Sequence, residues 1–449
     1  MLTNRSHFLP FVTLGIIYYM INDIESISFS LETEADLDLL IEEAGGKTAV
    51  LIGEATHGTH EFYQWRAQIT KRLINEKGFS FVAVEGNWPE CYRVNRYVKG
   101  DPLVRHARDA LSVFTRWPTW IWANNEVEEF IEWLAAHNKD IAEEQRVGFY
   151  GIDVYSLWES LNVAVQYLER TIPDAAEIAR EVYRCFEPYR HTVNSYPWTT
   201  ESMPESCKDK VARLLSTLEH LPPIGATGEA EERFNAEQNA LIALDAERYY
   251  RVMLEGDPES WNLREEHMAH TFFRLLNFYT RTAEAKGIIW AHNTHVGDMR
   301  ATDRGEINEV SIGQLVRDAL PVGETYLIGF GTYGGSVIAA DDWNTPARKV
   351  TMPSAVYESW EGIFHELGQK NRIVLFPADK GGAQLLLERK GHRAVGVVYD
   401  PNAEFANYIQ TILSDQYDAF LYIDKTSALR SLNIEPVSDG PPDTFPSAM

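Results

Sequence analysis

Short apolar runs, each closed by polar residues, recur along this chain. Ala49, Val50, Leu51 and Ile52 form one, ended by Gly53, in the pattern of a strand buried on both faces. FSFVAVEGNW (79–88), RVGFYGIDVYS (146–156) and GIIWAHNTHVGD (287–298) repeat it. Each run delivers polar residues at its C-terminal end: Glu54 and His57 in GEATHGTHEF, then Glu85, then Asp153 with Tyr155 and Ser156, then His292, Asn293, His295 and Asp298. After residue 324 further runs occur in ETYLIGF, RIVLF, AVGVVY and AFLYI.

Between the runs the period changes to that of a helix. Phe62, Trp65, Ile69 and Leu73 recur at spacings of three and four, predicting an amphipathic helix with Thr59 as its N-cap. Residues 126–137, 157–170, 174–186 and 205–220 carry the same period. Strand and helix in alternation predict an α/β fold, a central and mostly parallel sheet flanked by helices, whose ligands bind at the carboxyl ends of the strands. The block at about 174–283 is nearly strand-free and holds two long helical stretches, 228–256 and 260–287. It reads as a helical subdomain inserted between strands, with PPIGATGE (222–229) as its loop. One domain over 31–435 is expected, with an N-terminal extension at 1–30 and a disordered tail at 436–449 rich in Pro, Ser and Asp.

Composition narrows the partners. Lys plus Arg number 41 against 66 Asp plus Glu, a formal charge of −25, which speaks against a nucleic-acid groove or an anionic membrane surface. A neutral or cationic small molecule fits better. Cys91, Cys185 and Cys207 are odd in number and lack a CxxC pair, which argues against a disulfide framework and a structural zinc, and for a reducing cytoplasm. FLPFVTLGIIYYMI (8–21) is too short to span a bilayer, contains Pro10 and has no small-residue cleavage site after it, so it is expected to be an extension rather than a signal peptide. Oligomeric state is left open.

Four strand ends carrying carboxylates and histidines point to one shared site rather than four solvated turns. Serine catalysis would need a GxSxG elbow; none occurs, and Ser156 and Ser336 lack its frame. GFGTYGG (329–335) has the spacing of a dinucleotide loop, but the extended SVIAADDW comes next, with no helix to meet a pyrophosphate. HEFYQ (60–64) fails the HExxH pattern, although His57, His292, His295 and Glu85 supply donors for a divalent metal. A metal-free alternative needs one histidine, made basic by a carboxylate, to take a proton from water, and a second histidine or Arg66 to stabilise the oxyanion. Arg66 lies at the margin of its helix stripe, where an arginine is more commonly a surface ion-pair partner. Trp88, Trp117, Trp120, Trp122 and Tyr155 could line an acidic cleft, but a WPTWIW cluster is more commonly core or lid packing. His267 and His270 read as structural.

GEATHGTHEFYQWRAQITKRLI, VAVEGNWPECYRVNRYV, TRWPTWIWANNEV, VGFYGIDVYSL, WNLREEHMA and WAHNTHVGD together, in this order, resemble the erythromycin esterase family over about 35–425. The resemblance implies an α/β fold with helical insertions around a deep cleft, and hydrolysis of a macrolide lactone by activated water. It also implies His57 as general base, with Glu54, Glu85, Arg66 and His292 around it and His295 nearby. Substrate contacts are expected from His295, Trp88, Asp153, Tyr155 and Asn293. Two departures stand out: Glu265 replaces the aspartate expected after Arg264, and residues 1–30 match nothing recognised. No cofactor is expected. Alternatives are a metal-dependent hydrolase or peptidase built on the same cluster, and a non-catalytic accessory protein of polysaccharide biosynthesis, a label some family members carry.

Overall fold

A computed structural model of the chain describes residues 24–172, 176–186, 207–221, 227–253, 258–281, 284–377 and 387–436. The apolar segment 8–21, most of the 222–229 loop and the tail beyond 436 lie outside them. Among the described residues nine strands form the main sheet: β1 (Ser28–Ser30), β2 (Ala49–Ile52), β3 (Phe81–Asn87), β4 (Gly148–Asp153), β5 (Gly287–Trp290), β6 (Thr325–Ala339), β7 (Arg348–Met352), β8 (Arg372–Leu375) and β11 (Ala419–Thr426). β9 (Lys390–Arg393) and β10 (Tyr408–Thr411) make a separate antiparallel pair.

The strand order is β1-β8-β11-β6-β2-β5-β3-β4, parallel from β11 through β4, with β7 added antiparallel to β6. The reason lies in the runs themselves. Successive residues point to opposite faces of a strand, so an unbroken apolar run has to feed two cores. Val50, Ile52, Val82, Val84, Ile288 and Trp290 enter one hydrophobic cluster, and Ala49, Leu51, Phe81, Ala83 and Ile289 the other. Helix His60–Lys77 covers the first face and helix Glu259–Thr280 the second.

Between β4 and β5 the described residues contain helices only. Leu157–Thr171, Ala176–Phe186, Lys208–Glu219 and Thr227–Val252 share a third cluster of their own, around Leu161, Leu168, Val211, Leu214 and Ala243. Two sequence expectations are corrected here. Cys185 and Cys207 form a disulfide joining helix Ala176–Phe186 to the start of helix Lys208–Glu219, while Cys91 is buried and outside any disulfide. Helix packing, not a short-range motif, brings this pair together, and the cysteine argument for a reducing compartment falls. AVGVVY (394–399) is not a ladder strand; it makes only single bridges, Thr56 to Val395 and Ala340 to Val398, beyond the ends of β2 and β6. GFGTYGG lies inside the long strand β6. No described helix is long and apolar enough to cross a membrane.

Candidate active site

The ends of neighbouring strands are level. Ile52 of β2 and Val84 of β3 both pair with Trp290 of β5, so the turns after these strands leave the sheet at one edge. Glu85 sits where the β3–β4 ladder shifts register between Val84 and Asn87, an irregularity of the kind that re-aims a side chain.

His57 lies in the turn before helix His60–Lys77. Thr59 does precede that helix in extended conformation, but its hydroxyl pairs with that of Thr56 at 2.5 Å instead of capping. Gly58 lets the turn pass under β6: a Cβ there would sit 2.0 Å from the Ile338 carbonyl oxygen. Because that neighbour is backbone, Gly58→Ala is expected to cost about 1–3 kcal/mol by overpacking, read as a lower urea midpoint, and to displace His57.

Glu54 Oε1 lies 2.9 Å from His57 Nδ1, and its Oε2 lies 3.1 Å from Nη2 of Arg66. A carboxylate only accepts, so Nδ1 carries a proton, and in the neutral ring Nε2 keeps its lone pair. Arg66 is not the surface ion-pair partner common at such a margin: it is 0% exposed, grouped with Phe62, Tyr63, Ile69, Thr70 and Leu73 on the buried face. Its guanidinium lies 4.4 Å from the Tyr63 ring centroid and 4.7 Å from that of Trp290. Those aromatic faces and Glu54 make a buried cation tolerable.

His292 has the opposite tautomer. Its Nδ1 accepts the Thr294 N–H at 3.4 Å and lies 2.9 Å from the Thr294 hydroxyl, so in the neutral ring the proton is on Nε2. Burial holds His292 well below the usual histidine range, and the facing His57 adds to the effect. The two rings lie 5.0 Å apart between centroids, and Nε2 of each is buried without a hydrogen-bond partner. One is a basic lone pair; the other is a neutral donor.

Behind this pair stands a network of ions. The His292 N–H donates to Glu85 Oε2 at 2.8 Å, and Arg264 Nη2 donates to Oε1 at 2.7 Å. Arg264 also forks onto Asp153, at 3.0 and 2.7 Å. His295 Nε2 lies 3.3 Å from Glu85 Oε1, while its Nδ1 closely contacts Glu265, whose other oxygen accepts the Ile312 N–H at 2.7 Å. Burial alone would push Glu85 up, but His295 and Arg264 outweigh it and hold the carboxyl well below its ordinary value. Burial likewise opposes charge on His295, yet Glu265 and Glu85 raise it to about 9, against Arg264, whose Nη1 is 3.2 Å away. His295 is therefore an imidazolium at neutral pH. It clamps Glu85 and cannot serve as a base.

Glu54, His57, Arg66, Glu85 and His292 thus come together as one cluster. Asp153 and His295 join it through Arg264, and Tyr155 lies 5.1 Å from that guanidinium. Trp88 does not join: its ring stacks with Tyr92 and Tyr150, and its Nε1 donates to Asn235 at 2.8 Å. The Asn293 amide is occupied by the Phe330 backbone. Trp117, Trp120 and Trp122 are buried in the core, with Trp122 donating to the Glu85 carbonyl at 3.0 Å. Arg264 and Glu265 were not singled out from the sequence as site residues, although a signal exists. Trp261, Glu265, Met268, Phe272, Leu275 and Tyr279 share one buried helix stripe, and a carboxylate in such a stripe calls for a partner.

Among the described residues no group of three or more His, Cys, Asp or Glu side chains is arranged to hold a metal. Of the four candidates, Glu85 and His295 are engaged at both polar atoms by protein partners, so the donor set does not fit the metal-dependent alternative. A cavity of about 20 Å³, room for one water, lies beside Glu85 and is lined by Asn87, Glu90, Arg116, Trp122 and Asp153. Glu90, pushed up by burial to about 7, faces that space. Both histidines of the pair are buried, His57 at 1% and His292 at 0% exposure. A groove of about 600 Å³ between helices Trp88–Val98, Leu157–Thr171 and Thr227–Val252 contains none of the clustered residues.

A sheet of this topology has known counterparts. Residues 74–426 match the family described as Erythromycin esterase, and the chain belongs to that family. The match begins after the GEATHG turn and Arg66, whose place in the site rests on their contacts with Glu54, Tyr63 and Trp290. YbfO of Bacillus subtilis (strain 168), described as a hydrolase, is 23% identical over 425 residues, covering 89% of this chain and 88% of its own. Erythromycin esterase type II of Escherichia coli is 22% identical over 322 residues, 66% of this chain and 71% of that protein. Among solved structures, a succinoglycan biosynthesis protein aligns with a TM-score of 0.75 at 22% identity, over 93% of this chain and 99% of that one. An erythromycin esterase mutant, EreC, in its open conformation aligns at 0.64 and 16% identity, over 90% of this chain and 97% of that one. These structures establish a shared fold, a mixed α/β architecture with a central sheet flanked by helices.

Proposed function

We propose that the protein hydrolyses carboxylic esters, a macrolide lactone being the substrate class to which its family points, with water activated by His57. The observation that carries this reading is the pair of adjacent buried rings of His57 and His292, each with an unpartnered Nε2, one a lone pair and one a donor. His57 Nε2 takes a proton from water as the water oxygen bonds to the ester carbonyl carbon. Glu54, balanced by Arg66, stabilises the imidazolium, and the His292 Nε2–H donates to the developing oxyanion. Collapse breaks the bond from carbon to the alcohol oxygen, which takes the proton held by His57, leaving an acid and an alcohol. The charge of −25 suits the cationic amino sugar of a macrolide.

The test is incubation with macrolides of different ring size and with simple aryl esters, monitored by mass, with and without a chelator. Gain of one water, unaffected by chelator, is expected. Loss of activity on chelation, with recovery on adding back one metal, would instead make this a metallohydrolase. If no ester opens under any condition, the esterase reading fails.

A further inference from the structure

His392, on β9, lies far along the chain from the catalytic cluster, and the proposed mechanism gives it no part. Its ring is nevertheless buried against the turn that carries His292. Nδ1 lies 2.6 Å from Glu361 Oε1, in helix Trp360–Glu366, and Nε2 lies 3.1 Å from Asn293 Nδ2 and 3.4 Å from the Tyr417 hydroxyl. Which atom of the Asn293 amide is the nitrogen follows from Phe330: Nδ2 donates to the Phe330 carbonyl at 2.6 Å, and Oδ1 accepts the Phe330 N–H at 3.2 Å. His392 Nε2 thus meets a donor and is the unprotonated nitrogen, so Nδ1 donates to Glu361. Glu361 also accepts the Arg393 N–H at 3.1 Å.

Asn293 reaches both halves of the catalytic pair. Its own N–H donates to the Glu54 carbonyl at 2.8 Å, and it directly succeeds His292 in the chain. Its amide oxygen takes the space a side chain at position 53 would need: a Cβ on Gly53 would come within 2.2 Å of Oδ1. One amide therefore spaces the turn bearing His292 from the strand end bearing Glu54, the residue that orients His57.

We propose that Glu361 and His392 are positioning residues, a buried dyad that locks the Asn293 amide and thereby sets the distance between His292 and the Glu54–His57 pair. This deepens the esterase reading and rests on it for its meaning in catalysis. A leucine at 392 fills the space without an acceptor, and a glutamine restores an acceptor for Asn293.

The experiment compares His392→Leu and His392→Gln with wild type by nitrogen NMR of selectively labelled histidines and by ester hydrolysis. His392→Leu is expected to displace the His57 and His292 ring signals and to lower kcat by roughly ten- to a hundred-fold at little changed KM, as ångström-scale misplacement does. His392→Gln is expected to return both most of the way. If His392→Leu does not accumulate folded, Glu361→Gln is expected to move the same signals by less. Unmoved His57 and His292 signals in a folded variant, or a glutamine that rescues neither readout, overturn the proposal. Should wild type open no ester, the functional reading falls, while the ring signals still decide whether the dyad places the pair.

Discussion

His57→Ala is expected to lower the rate of ester hydrolysis by about 10²- to 10⁴-fold, the range for loss of a general base, with KM nearly unchanged. The ring is buried, but its loss does not strand a charge, because Glu54 keeps Arg66 at 3.1 Å. The variant should therefore fold, and the defect should lie in the chemical step. His220→Ala, an exposed histidine on the helical layer, serves as the control and should match wild type. Steady-state kinetics on the best ester of the panel checks both. A His57→Ala enzyme within a few-fold of wild type would remove the base from the mechanism.

Arg264→Leu has the second large effect, this time on the fold. Arg264 is the shared partner of Glu85 and Asp153, and all three are buried. Removing one member of a buried ion cluster leaves the others uncompensated and costs about 3–5 kcal/mol, measurable by urea denaturation. The pH dependence of wild-type stability arises from the same network, with two opposite signs. Glu85 has a folded-state value below its unfolded one, so its contribution is present above about 4.3 and is lost as pH falls through the depressed value. His295 is raised to about 9, so its contribution is complete below the unfolded value of about 6.5 and is lost as pH rises through about 9. Stability should therefore hold a plateau between about pH 4.3 and 6.5 and decline on both sides. The alkaline decline should disappear in His295→Gln, a comparison that separates it from general lysine titration.

Much of the fold and site was legible in the chain because the signals were local. Apolar runs longer than an alternating strand allows, such as Ala49–Ile52, announce a sheet covered on both faces, and level strand ends bring Glu54, His57, Glu85 and His292 together. Arg66 was harder to place, since helix periodicity leaves a marginal position undecided until a buried carboxylate and two aromatic rings are known to meet it. Trp88 shows the converse: a tryptophan next to a catalytic strand turned out to stack in the core. The pairs that stayed hidden depend on distant packing. Arg264 reaches Glu85 from 179 residues away, Asn293 meets His392 across 99, and Cys185 finds Cys207 through two helices. No spacing rule within a run carries such pairs.

The central claim is that water, deprotonated by His57, attacks the ester directly. A single turnover in heavy-oxygen water, with protein in excess over ester and the acid product weighed, tests it most directly. Direct attack predicts one solvent oxygen in the acid from the first turnover, formed at a strongly reduced rate by His57→Ala. An unlabelled acid in that first turnover would mean its new oxygen came from a protein carboxylate such as Glu54 or Glu85, and would contradict direct attack by water.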